Sequence, residues 1–401
     1  MSASSCSLPT PQVILPRAAG AIVGLACGDT LGVPHELAPA PTADQPLSMS
    51  GGGLGPYAPG EWSDETQLAV CLLEVTAAGG DMRSKIALDT FARRLFAWSC
   101  GSAGKPRDMG VFTSQVLFAA HELERPENAW KLGSQAKKLG IDPEESLSPS
   151  ERLALAALSQ RQLSRRLPAA DTLSLAPVMA LFFLNDAPAC SSTCRELGLM
   201  LTADPMVSDG LAFLAEVIRH AIVSPSTGVW HERIDFRSAI EAVSSPERKR
   251  WSQIVEESLA RFFQPPRDNG YVQAALSAAI CAVYDARWES SRVTRQDAFQ
   301  IGVEAAVRIG GDTDTVAGLT GAILGSAGGI ESIPGSWIKT IHGWPGLDAE
   351  GLCDLAQATA LVGLSGGGLE GAQRAMDALV AIKTAPRLEK TTFVSNSSPE
   401  L

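Results

Sequence analysis

The stretch Ile309-Gly-Gly-Asp-Thr-Asp-Thr-Val-Ala-Gly-Leu319 places Asp312, Asp314 and Thr315 within four positions, behind Gly310 and Gly311 and ahead of a small-residue apolar run. Two carboxylates and a hydroxyl, all oxygen donors, form a fragment of a site for a hard divalent cation. The glycines allow the turn that carboxylates converging on one ion need. Asp and Thr are also ordinary helix N-cap residues. Thr315 would cap a helix running to Ser326, so on this fragment alone both readings stand.

A second oxygen cluster lies in Gly60-Glu-Trp-Ser-Asp-Glu-Thr-Gln-Leu-Ala-Val70, where Ser63, Asp64, Glu65 and Thr66 precede an amphipathic run. Read alone, Ser63 and Thr66 with nearby acids make a capping box, and acids suit a helix start through the macrodipole. Two acid-plus-hydroxyl clusters, each beside glycine, also fit the halves of one metal site. A third acidic element, Gly28-Asp-Thr-Leu-Gly-Val-Pro-His-Glu36, offers Asp29 and Glu36, which taken singly are loop acids on a solvated surface.

Helices must position these groups. Most of the chain has helical period, and few segments alternate as half-buried strands do. Arg17–Gly32 carries Gly20, Gly24, Gly28 and Gly32 at fourfold spacing, one face of a helix that permits close backbone approach. The segment after Thr315 has a similar stripe in Gly318, Gly321 and Gly325. Packing the two stripes together draws Asp29 towards Asp312. Further helices are expected at Thr66–Ala78, Lys85–Trp98, Gly110–Glu122, Glu151–Arg166, Leu175–Leu184, Cys190–Leu201, Ser208–Ile222, Pro246–Phe263, Tyr271–Ala286, Arg295–Arg308 and Asp348–Leu361. The long Gly-rich loop from Pro39 to Pro59 leads into the Ser63 cluster, and such loops are often functional. The expectation is an all-α protein: a disordered tail over 1–15, one large multi-helical domain over 16–383 with acidic loops at one pole, and a disordered tail over 384–401.

With 33 basic against 44 acidic residues the net charge is −11, which argues against general nucleic-acid affinity. The eight cysteines are scattered; only Cys190 and Cys194 are close, and no histidine cluster accompanies them. Buried free thiols in a reducing, cytoplasmic setting are the better reading than zinc. Residues 1–16 lack the charged start and apolar core of a signal peptide. The apolar run Val316–Ile330 is too short and too rich in Gly and Ala for a membrane span.

Four blocks in order resemble the ADP-ribosylglycohydrolases, the family that includes dinitrogenase reductase-activating glycohydrolase and the ADP-ribosyl-acceptor hydrolases. They are Gly20–Glu36, Gly60–Thr66, Asn269-Gly-Tyr-Val272 with its following helix, and Gly310–Thr315. The resemblance runs from Arg17 to Leu361. It implies an all-helical fold with a binuclear metal site of two divalent cations, Mg²⁺ or Mn²⁺, at the base of an ADP-ribose cleft. By that resemblance Ser63, Asp64 and Glu65 supply one ligand set, Asp312, Asp314 and Thr315 the other, and Glu36 is an assisting or gating acid. Asp108 in Arg107-Asp-Met-Gly110 is similar to a further family acid near the substrate ribose, with Gly110 beside it. The implied activity is metal-dependent hydrolysis of the ribose glycosidic bond of an ADP-ribosylated protein or small ADP-ribose conjugate, with Asp64 and Glu65 activating water.

Two positions depart from the family pattern. The usual Thr-Asp-Asp triplet is Ser63-Asp64-Glu65, in which Glu adds one methylene, about 1.5 Å of reach. The Asn-Gly-small-x-Met-Arg stretch before Ala-Pro is replaced by Asp171-Thr-Leu-Ser-Leu-Ala-Pro177, without its Arg. These departures keep open a non-catalytic ADP-ribose binder or a structural, crystallin-like relative; an antidote protein opposing an ADP-ribosylating toxin is a third alternative that no residue here singles out.

Overall fold

The structure, a computed structural model, describes residues 8–100, 106–125, 133–141, 146–163, 170–225, 229–260, 269–289, 292–368, 370–374 and 377. Among these residues the chain forms α1 (Pro11–Gly32), α2 (Asp64–Ala77), α3 (Lys85–Cys100), α4 (Val111–Glu122), α5 (Gly133–Lys138), α6 (Pro149–Leu163), α7 (Ala176–Phe182) and α8 (Ala187–Thr202). There follow α9 (Pro205–Val223), α10 (Arg248–Leu259), α11 (Val272–Glu289), α12 (Arg295–Ile309), α13 (Thr313–Gly328), α14 (Gly335–Thr340) and α15 (Ala349–Leu364). One short antiparallel pair, β1 (His342–Gly343) with β2 (Leu347–Asp348), lies between α14 and α15.

The architecture follows from two helices that are apolar on every side. All of α13 is buried, and so is nearly all of α1 from Ile14 onward. A helix without a polar face belongs inside a protein or a membrane. The segment Pro11–His35 is long and apolar enough to cross a membrane by composition, but 89% of its apolar window is buried within the protein. Its partners are α13 and α15, while α9, α11 and α12 surround α13.

The α1–α13 contact is backbone on backbone. A Cβ added at Gly24 would stand 2.2 Å from the Gly321 carbonyl oxygen, and one at Gly20 would stand 2.3 Å from that of Gly325. Further along, a Cβ at Gly28 would lie 2.0 Å from Ala317 O, and one at Gly32 would lie 2.3 Å from the Cα of Asp314. The expected pairing of glycine stripes is therefore present, with Ala317 rather than Gly318 opposite Gly28.

Within the described residues the helices begin and end within a few residues of the expected limits, with instructive differences; the expected ends at Arg166 and Phe263 lie outside the described part. The first starts at Pro11 instead of Arg17, because a proline suits the first helical turn and Ile14 and Leu15 are buried. Residues 11–15 thus join α1, whereas the first seven residues and 384–401 lie outside the described part. The expected 175–184 helix is a 3₁₀ turn over Ala170–Leu175 followed by α7. Cys27, Cys71, Cys190 and Cys194 are buried free thiols, and Cys100 is exposed.

Replacing Gly24 with Ala should destabilise the protein by about 1–3 kcal/mol or more, because neither backbone at that contact can yield alone. Gly335→Ala, where an added Cβ meets nothing within 4 Å, should stay within about 0.5 kcal/mol of the native protein in urea unfolding. Equal stability of the two variants would show that the seam is not close-packed.

Candidate functional site

Four of the described helix starts are held by side-chain caps. Asp186, Asp204 and Asp348 accept backbone N–H bonds at the starts of α8, α9 and α15, and Thr294 with Asp297 forms a capping box on α12. These are ordinary caps. Helices α2 and α13 differ: Ser63 and Asp312 occupy their N-cap positions, and neither makes a side-chain cap bond. Of the two readings of Ser63–Thr66 the capping box is absent, and Thr315 lies in the first turn of α13 rather than at its cap. Their oxygens turn instead towards each other.

Asp29 is the hub. It lies within α1 and is fully buried, so it is neither a loop acid nor solvated. One of its oxygens accepts from Ser63 N at 2.9 Å and Ser63 Oγ at 2.6 Å. The other accepts from Thr66 N at 3.1 Å and Thr66 Oγ1 at 2.5 Å. Asp29 thereby caps α2 from another helix and holds the Ser63–Thr66 turn in place. An acid inside an otherwise apolar helix is the signal that marks it, since buried Asp is rare unless partnered.

Ser63 Oγ also lies 2.7 Å from Glu65 Oε2 and 3.3 Å from Asp314 Oδ2, while Thr315 Oγ1 donates to Glu65 Oε1 at 2.6 Å. A serine has one hydroxyl hydrogen, yet three carboxylates approach Ser63. Asp29, Glu65 and Asp314 present oxygens within 4.8 Å of one another, as do Glu36, Asp312 and Asp314. Asp314 belongs to both groups. Asp64 is buried, hydrogen-bonds with the Glu65 side chain, and accepts from Gly110 N at 3.0 Å. The two α-helical clusters and Glu36 are thus brought together. The donors do not sit mainly in loops: Asp29, Asp64, Glu65, Asp314 and Thr315 are helical, and Glu36, Ser63 and Asp312 flank helices.

Neighbouring segments lock this arrangement. Asn269 Nδ2 donates to Gly310 O at 2.9 Å, and its Oδ1 accepts from Asp312 N at 2.7 Å, clamping the glycine turn. Leu37 N donates to Gly311 O at 2.8 Å, tying the end of the Glu36 segment to the same turn. Trp62 N donates to His342 O at 3.1 Å, so the small hairpin fixes the approach to Ser63. Asp108 forms a side-chain hydrogen bond with Glu36. Gly110, expected beside the substrate, supports Asp64 through its N–H. Asp171 is buried, accepts from Thr113 Oγ1 at 2.6 Å, and its charge acts on Asp64 and Asp312. The segment that departs from the family pattern therefore adds a carboxylate to this pole.

The charges acting on Asp29, Asp64, Asp312 and Asp314 are those of other carboxylates. Burial, then Glu65, pushes Asp29 and Asp312 up to about 7. Burial with Glu65, Asp108 and Asp312 pushes Glu36 up to about 9. Asp64 and Asp314 are raised well above the usual range by burial and by Glu65. Such a cluster holds protons or cations, since isolated buried charge is strongly unfavourable. With hard oxygen donors throughout and more acceptors than hydrogens, the cluster is compatible with binding a metal ion.

A family model described as ADP-ribosylglycohydrolase matches residues 10–366. The chain is 26% identical over 344 residues to the ADP-ribosylarginine hydrolase Tri1 of Serratia proteamaculans (strain 568), covering 83% of this chain and 79% of that protein. It is 25% identical over 346 residues to the ADP-ribosylarginine hydrolase Tri1 of Pseudomonas putida (strain GB-1), covering 85% and 78%. A solved structure described as an ADP-ribosylglycohydrolase-related protein complex superposes with a TM-score of 0.60 at 22% identity, covering 87% of this chain and 98% of that one. At that identity the likeness shows the all-α multi-helical fold.

Carboxyls raised on folding contribute stability that is complete below their unfolded values of about 4. That contribution is lost as pH rises through about 7 for Asp29 and Asp312 and about 9 for Glu36. In chelator, the thermal midpoint should fall between about pH 5 and pH 9. Mg²⁺ or Mn²⁺ competes with those protons and should raise the midpoint more at about pH 8 than at pH 5. An ion-induced rise that is equal at both pH values would exclude the acids as the binding groups.

Proposed function

The chain belongs to the ADP-ribosylglycohydrolase family, and from that premise we propose that it is a divalent-cation-dependent hydrolase releasing ADP-ribose from arginine side chains of modified proteins. The observation that carries this reading is the buried oxygen cluster in which Asp314 is shared by two acidic groups, Asp29–Glu65–Asp314 and Glu36–Asp312–Asp314. Two ions, Mg²⁺ or Mn²⁺, suit a donor set of this hardness and shared geometry. Ser63, Asp64, Glu65, Asp312, Asp314 and Thr315 would hold them. The family relation and the named activity of the two relatives support the substrate class.

When bound, such ions supply Lewis-acid polarisation and a hold on ribose oxygens. The remaining work belongs to the chain. Cleavage breaks the bond between the anomeric carbon and the guanidine nitrogen through an oxocarbenium-like state, and a water oxygen forms the new bond. Asp64 and Glu65 are the carboxylates that take the proton from that water. Glu36, hydrogen-bonded to Asp108 at the edge of the cluster, is the carboxyl placed to give a proton to the departing guanidine. Asp29 keeps Ser63 and Thr66 in register so that Asp64 and Glu65 face the seam. Asp171 adds negative charge to this pole, which suits an acceptor that carries a guanidinium.

The direct experiment supplies arginine-ADP-ribosylated protein with Mg²⁺ or Mn²⁺ and measures free ADP-ribose. The native chain should release it, and chelator should stop release. The Asp312→Asn, Asp314→Asn double variant should fall by about 100-fold or more, beyond the loss typical of an outer partner of a metal ligand. Native-rate release by that variant in chelator would end the metal-dependent reading. Binding of ADP-ribose without release by the native chain would identify a binder.

A further inference from the structure

The loop with three successive glycines ends in a side chain that the chemistry above leaves unused. Gly51, Gly52 and Gly53 have φ of 72°, 87° and 74°, a backbone that only glycine adopts readily. The turn brings Tyr57 back on Gly52, with Gly52 N donating to Tyr57 O at 2.9 Å and Tyr57 N donating to Gly55 O at 2.9 Å. Gly53 lies so close to Val33 that an added Cβ would meet its carbonyl oxygen at 2.4 Å, and Val33 opens the turn that leads to Glu36. The Arg107 guanidinium stands over the Tyr57 ring, 5.9 Å from its centroid. Arg107 is itself held by Glu61 at 2.8 Å and by the Pro56 carbonyl. The ring is therefore fixed between the Glu36 segment and the segment carrying Asp108.

Tyr57 is 5% exposed, and its hydroxyl is buried with no hydrogen-bond partner. The charges that act on it are those of Asp64, Asp29, Glu65 and Asp108, so its polar end is turned to the acidic pole. Burial and those carboxylates push the phenol upward and keep its hydrogen in place, leaving it a donor. Buried hydroxyls are nearly always bonded, and one without a partner disfavours the folded state. If only the ring mattered, phenylalanine would fill the position without that penalty.

We infer that the Tyr57 hydroxyl is a substrate-binding group, donating a hydrogen bond to an oxygen of the ADP-ribose that is held against Asp64 and Glu65. The assignment rests on the hydrolase reading above. It adds a residue from the glycine loop to a site otherwise built from carboxylates, and gives that loop a function beyond connection.

The test is Tyr57→Phe, read by calorimetry and thermal unfolding. The variant should keep the native midpoint without ligand, or exceed it, and should keep its affinity for Mn²⁺ alone. Its affinity for ADP-ribose in the presence of Mn²⁺ should fall about 3- to 10-fold, the range for one neutral hydrogen bond. Equal ADP-ribose affinity in the variant and the native chain overturns the assignment. A lowered midpoint with Mn²⁺ and ADP-ribose affinities falling together also overturns it, since the hydroxyl would then be structural. A native chain that binds Mn²⁺ but not ADP-ribose fails differently: it removes the functional reading itself, and the Tyr57 role with it.

Discussion

The direct backbone contact between α1 and α13 is the constraint on which the acidic pole depends. Gly20, Gly24, Gly28 and Gly32 leave no room for a side chain along the seam. That closeness puts the Asp29 end of one helix beside the first turn of the other, where Asp314 and Thr315 lie. It also leaves Ser63 able to reach Asp29 at 2.6 Å and Asp314 at 3.3 Å from a third helix. A methyl group inserted anywhere along the stripe would separate these oxygens as well as loosen the core. Core packing and site geometry are here one requirement, met by the same glycines.

Charge is distributed along these helices in a way that matches their dipoles but does not neutralise the pole. The starts of α2 and α13 point at the carboxylates, and Gly110, at the start of α4, donates to Asp64. At the far end of α13, Arg233 donates to Ala327 O at 2.7 Å and Arg295 to Gly328 O at 3.3 Å. Each helix start offers roughly half an elementary charge, so three offer about 1.5. Against them stand Asp29, Glu36, Asp64, Glu65, Asp171, Asp312 and Asp314. The deficit is too large for dipoles, which is why protons or multivalent cations belong in this cluster and why ordinary capping does not account for it.

The residues that announce themselves in sequence do so because several oxygen donors fall within one turn. Asp312, Asp314 and Thr315 stand out for that reason, as do Ser63, Asp64 and Glu65. The glycine stripes were equally legible, since fourfold spacing defines one helical face whatever packs on it. Asp29 was harder, because its chemistry depends on being inside a helix whose neighbours supply four hydrogen bonds. Asn269 and the His342 hairpin act through backbone groups distant in sequence, and no local pattern encodes such pairings. Capping was the local alternative at both clusters, and no local rule could show that tertiary partners claim the Ser63 and Thr315 hydroxyls. Tyr57 left no local signature, since an unpaired hydroxyl exists only once a fold has buried it.

The same logic explains how the site accommodates its longer acid. At Glu65 the carboxylate bridges helices: Oε2 lies 2.7 Å from Ser63 Oγ on its own side, and Oε1 accepts from Thr315 Oγ1 across the seam at 2.6 Å. The extra methylene, about 1.5 Å of reach, is what this span uses. With Thr315 donating to one oxygen and Ser63 Oγ packed against the other, the side chain is restricted to one geometry across the seam. Ser63 keeps the hydroxyl that the arrangement needs, and Asp29 fixes the turn that carries both. Ser63, Asp64 and Glu65 thereby place an ordered set of oxygens at the junction of α2 and α13.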